Sequence, residues 1–70
     1  MTFTYMSTTE NGYIIQLNQD KFSNLYRVEA LEKRGENYYT VKSNTYTDRK
    51  KATARYKRIV RMATDGTLNG

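Results

Sequence analysis

The residues of this chain best placed to do chemistry are six cations in one stretch: Lys50, Lys51, Arg55, Lys57, Arg58 and Arg61. Among them run Ala52, Tyr56, Ile59, Val60 and Ala63, at i, i+4, i+7, i+8 and i+11, the spacing of one helical face. On a wheel turning about 100° per residue, the apolar five fill an arc of about 100° and the cations take the rest, with no acid among them. Such a face displaces condensed counterions from a nucleic acid and supplies affinity without sequence information. The plain alternative is a solvated face that keeps a small protein in solution, but ordinary solvated faces mix charge signs and this one does not.

Other chemistry is scarce. The chain holds no His and no Cys, which removes the usual nucleophilic triads, the commonest general base, the ordinary zinc site and any disulfide. Its four glycines stand isolated at positions 12, 35, 66 and 70, so there is no phosphate-cradling loop. Glu29 and Glu32 are the nearest paired carboxylates, and on a strand that spacing sends them to opposite faces. They read as cross-strand partners for Arg or Lys. No enzymatic activity, metal or cofactor is expected.

A second constellation arises if Arg27, Tyr38, Thr40 and Lys42 stand outward on a sheet, beside Ile14 and Leu31. Arg can fork onto guanine, Thr can meet a thymine methyl, and Tyr can bond phosphate or stack on an unpaired base. A two- or three-stranded ribbon also fits the major groove of B-DNA. The two constellations would face in opposite directions, so one duplex could not easily touch both.

The elements that must position these residues follow from pattern. Thr47-Asp48 supplies an N-cap and a favourable charge for a helix over about 48–64, Arg61 lies near its far end, and Asp65-Gly66 offers a stop. Strands are predicted at about 13–17, 25–32 and 38–42, rich in β-branched and aromatic residues. Residues 3–6 are either a short strand or a loose start; if they pair with 13–17, Asn11-Gly12 closes a first hairpin. Tyr13, Ile15 and Leu17 share one face, Tyr26, Val28 and Ala30 face the helix, and Tyr39 and Val41 point inward. Gly35 serves the turn after the second strand. Phe22 is expected to fold back as a plug on the core edge in preference to making a binding contact, Tyr46 to be a core ring, and 65–70 to be a tail. The fold class is α+β: one domain over 1–70, an antiparallel three-stranded sheet, four-stranded with the N-terminal segment, packed on one C-terminal helix.

Seventy residues bury only about 60% of their unfolded surface, so the core is marginal and must lean on aromatics, of which seven are Tyr. The net charge of +5 lies wholly in residues 48–70, with seven Lys/Arg against two acids; residues 1–47 balance five against five. That asymmetry points to a polyanionic partner. No apolar run is long enough for a membrane span and the start lacks a signal-peptide pattern, so a cytoplasmic protein is expected.

The order Tyr26-Arg27-Val28-Glu29-Ala30, a basic turn at Lys33-Arg34-Gly35, the strand Tyr38 to Lys42, then Tyr46-Thr47-Asp48, Ala52 and Tyr56 resembles a known pattern. It is similar to the three-strand-plus-helix DNA-binding domains at the N-termini of tyrosine integrases and to AP2-type domains, over about residues 25–60. The resemblance implies a sheet entering the major groove, with Arg27, Glu29, Tyr38, Thr40 and Lys42 facing DNA. The chain departs from the pattern in having Tyr where those domains often have Trp, and an acid at Glu29. The first expectation is a small basic nucleic-acid-binding module, DNA foremost, in an accessory or regulatory role. The second is a small inhibitor or adaptor of phage or mobile-element type. It would grip an acidic protein surface through the basic helix or the open sheet face. A homodimer through that face or an unpaired edge strand is a third.

Overall fold

The computed structural model describes residues 2–68. Four strands, β1 (Thr2–Glu10), β2 (Tyr13–Asp20), β3 (Leu25–Arg34) and β4 (Asn37–Tyr46), precede one helix, α1 (Arg49–Asp65). They form an antiparallel sheet in the order β1-β2-β3-β4, with the helix across one face. The N-terminal segment is a full nine-residue strand, so the sheet is four-stranded and every predicted strand runs longer than its pattern suggested.

Turn chemistry sets the registers. Asn11 and Gly12 both take positive φ, 51° and 82°, as the two-residue hairpin between Glu10 and Tyr13 requires. The β3–β4 turn has positive φ only at Gly35, the first of its two central residues, where a glycine is favoured. The β2–β3 loop is longer; the Asp20 carboxylate accepts the Phe22 N–H at 3.0 Å, which holds that carboxyl below the ordinary carboxylate range.

The core is one layer between sheet and helix. Ile15 and Leu17 of β2 pair with Ala30 and Val28 of β3, and all four are fully buried beneath Ala52, Tyr56, Ile59 and Ala63 of α1. Alanines at 30, 52 and 63 let the helix lie close, and each buried Ile or Leu contributes about 1.5–3 kcal/mol. Leu68 joins this cluster at 3% exposed. The expected tail is therefore docked as far as Leu68, and residues 69 and 70 lie outside the described residues.

The helix is closed at both ends. Asp48 is the N-cap, its carboxylate accepting the Lys50 N–H at 2.9 Å. Gly66 turns left-handed at φ 77°, its N–H reaching Ala63 and that of Thr67 reaching Met62. No basic residue occupies the last turn; the role expected of Arg61 falls instead to Asn11, whose amide donates to the Ala63 and Thr64 carbonyls at 2.8 and 3.1 Å.

Two bulges reshuffle the edge strands. In β1 the register slips between Thr4 and Met6. Thr4 therefore bonds Asn18 on the open face while Met6 packs into the core, and Tyr5, the extra residue, reaches α1 through Arg49. In β4 the slip lies at Val41, between the Ala30–Lys42 and Leu31–Thr40 pairs.

Candidate nucleic-acid interface

The outer face of α1 is built around its smallest residue. Ala54 lies opposite the buried stripe and lines three shallow crevices, one each with Lys57, Arg58 and Arg61, with Arg49, Lys50 and Lys57, and with Lys51, Arg55 and Arg58. All six cations expected from the sequence thus line crevices that share Ala54, and Arg49 joins them. Helical geometry explains this, since Lys50, Lys51, Lys57 and Arg58 stand at i−4, i−3, i+3 and i+4 from Ala54. Asp65 is the one acid on these crevices, and among the described residues no ion pair involves a cation of α1; the two found are Arg27–Glu29 and Arg34–Glu32.

The cations of α1 are not equivalent. Lys50, Lys51, Lys57, Arg58 and Arg61 are exposed. Arg55 is half-buried toward β4, beside Tyr46, with its Nε covered and without a hydrogen-bond partner. Arg49, on the opposite flank, donates to the Tyr5 hydroxyl at 3.0 Å and lies 5.6 Å over that ring.

The sheet constellation does not assemble. Arg27 and Thr40 do stand on the open face, across from Thr45 and Leu31, and Tyr38 pairs with Lys33. But Arg27 and Tyr38 are separated by six residues of strand, about 20 Å. The β4 bulge sets Lys42 opposite the buried Ala30, on the helix side, which corrects its expected outward placement. What remains outside carries equal numbers of each sign, Arg27 and Lys33 against Glu29 and Asp20, with Arg27 engaged by Glu29 at 3.3 Å. Ile14 pairs with Leu31 there as expected.

Phe22 corrects the sequence reading most directly. It stands at the tip of the β2–β3 loop, 88% exposed, and packs on nothing in the core. Phe3 and Tyr5, 37% and 43% exposed, form a further aromatic surface: as i and i+2 they share the helix side of β1, and the bulge turns Met6 to that side as well. Among the described residues, no group of His, Cys, Asp or Glu side chains could cradle a metal, and no helix is long and apolar enough to cross a membrane.

Compared with known protein families, curated proteins and solved structures, the chain matches none.

Proposed function

We propose that this protein is a small, non-catalytic nucleic-acid-binding module, accessory or regulatory in role, that docks on the phosphate backbone through the outer face of α1. One observation supports this reading: seven cations line the crevices around Ala54, and among the described residues none of them is in an ion pair. A recess floored by a methyl group admits a phosphate close to the helix, and flexible Lys and Arg side chains around it can each replace a counterion. The balanced signs of the open sheet face favour the helix over the sheet as the docking surface.

A single substitution tests this. Ala54→Glu places a carboxylate among these cations, at an exposed position where Glu suits a helix, while Ala54→Gln adds similar bulk without charge. Fluorescence anisotropy with labelled duplex DNA, single-stranded DNA and RNA should show at least a tenfold loss of affinity for Ala54→Glu, and a clearly smaller loss for Ala54→Gln. Equal affinity of Ala54→Glu and the parent would refute the reading. No binding by the parent to any of the three would also refute it and reassign the face to an acidic protein surface.

A further inference from the structure

The cations of α1 continue, through Arg49, into a row of rings on the helix side of β1. Lys21 Nζ stands 5.1 Å over the Phe3 ring. Phe3 and Tyr5 lie with ring centroids 6.4 Å apart, tilted by 46°, and Arg49 stands 5.6 Å over Tyr5. The sequence cation–ring–ring–cation therefore runs from the β2–β3 loop across the edge strand to the first turn of α1. Arg49 and Lys50 there line a crevice shared with Ala54. Phe22, the most exposed ring of the protein, is the residue next to Lys21. Two acids flank the row, and each already receives a backbone N–H: Asp20 from Phe22 and Asp48 from Lys50.

An apolar patch would leave its partner's chemistry open; this surface does not. Exposed rings spaced by cations, continuous with the basic face of α1, combine the two requirements of a single-stranded nucleic acid: flat surfaces for unpaired bases and positive charge for the backbone between them. A duplex offers no free base face to Phe3 or Tyr5 and can use only the phosphate half of the surface. We infer that the protein binds single-stranded nucleic acid in preference to duplex, with unpaired bases stacked on Phe3 and Tyr5 and phosphates held by Lys21, Arg49 and the α1 cations. This inference rests on the proposed docking through α1 and adds the class of nucleic acid.

The test compares labelled oligo-thymidine with a duplex of equal length in the same buffer. Oligo-thymidine should bind at least tenfold tighter. Phe3→Ala and Tyr5→Ala should each weaken oligo-thymidine binding by about tenfold or more and keep the slope of log affinity against log salt, because neither removes a charge, and Phe3→Ala should leave duplex binding unchanged. Phe3→Trp preserves the ring and introduces the only Trp of the chain; its emission should be quenched by oligo-thymidine and unaffected by duplex. That variant keeps the test decisive if an alanine variant unfolds. Equal binding of the two ligands, or ring variants that bind oligo-thymidine like the parent while Phe3→Trp is not quenched, would overturn the inference. In that event a loss of binding in Ala54→Glu would still uphold docking through α1, whereas retention by Ala54→Glu would remove that reading by itself.

Discussion

Asn11 offers the sharpest test of how the fold holds its basic helix in place. Its backbone takes φ 51° in the β1–β2 turn, a conformation Asn tolerates and Ala does not. Its side-chain amide spans 52 residues of sequence to donate to Ala63 at 2.8 Å and Thr64 at 3.1 Å, carbonyls of the last turn of α1, of which that of Ala63 also accepts the Gly66 N–H. Asn11→Gly keeps the turn and removes both bonds. At about 0.5–1.5 kcal/mol for each bond, reduced for the exposed one, the loss should be about 1–2 kcal/mol. The total stability expected of a chain this size is only about 4–10 kcal/mol. For a small domain, about 1 kcal/mol moves the midpoint by roughly 4–8 °C, so a fall of about 5–15 °C is expected in a thermal melt followed by helical circular dichroism. Asn11→Ala should fall further, by the added cost of a left-handed Ala, about 1 kcal/mol. Asn11→Asp keeps the shape but aims oxygen at two carbonyls and a charge at the negative end of the helix dipole, so it should be at least as harmful as Gly at neutral pH. If Gly and Asp variants both melt within about 2 °C of the parent, the tie between turn and helix contributes nothing and the reasoning fails.

Three further outcomes follow from the same packing. Phe22→Ala should leave the melting midpoint within a few degrees of the parent, since its ring is 88% exposed; a drop above about 2 kcal/mol in a denaturant titration would mean that the ring packs after all. Ile59→Ala, at a fully buried position beneath the sheet, should cost about 2–5 kcal/mol, about half of the stability expected of the whole chain, as a urea titration would show. Burial raises the Tyr56 hydroxyl above its ordinary value, so the folded state prefers the neutral phenol. The stability this represents is complete below about pH 10 and declines as pH rises beyond it, and Tyr56→Phe should flatten that alkaline decline in melts taken from neutral pH upward.

The helix was legible because its signals agree. The 3.6-residue stripe from Ala52 to Ala63, the Asp48 cap and the Gly66 stop each appear in the sequence, and each is used in the structure. The central strands were legible for a similar reason: Ile15, Leu17, Val28 and Ala30 alternate cleanly and face the helix as read. The edge strands were not, because both contain a bulge, and one extra residue defeats a period of two. The slip in β4 moved Lys42 off the open face, and the slip in β1 turned Met6 to the helix side beside Tyr5. Phe22 misled for a different reason, since a large ring in a polar loop reads as a plug unless the loop is known to point away from the core. Ala54 was in plain view, yet a small residue among cations carries no signal until the side chains around it are placed.

The central claim, that the α1 cations meet phosphate, is tested most directly by the salt dependence of binding. Anisotropy titrations with labelled single-stranded and duplex DNA across a range of salt concentrations should give log affinity falling linearly against log salt. With about four to six phosphates engaged, the slope should be about −3 to −4 for the single strand and about −4 to −5 for duplex. A slope near zero, or no binding even at the lowest salt, would contradict the account.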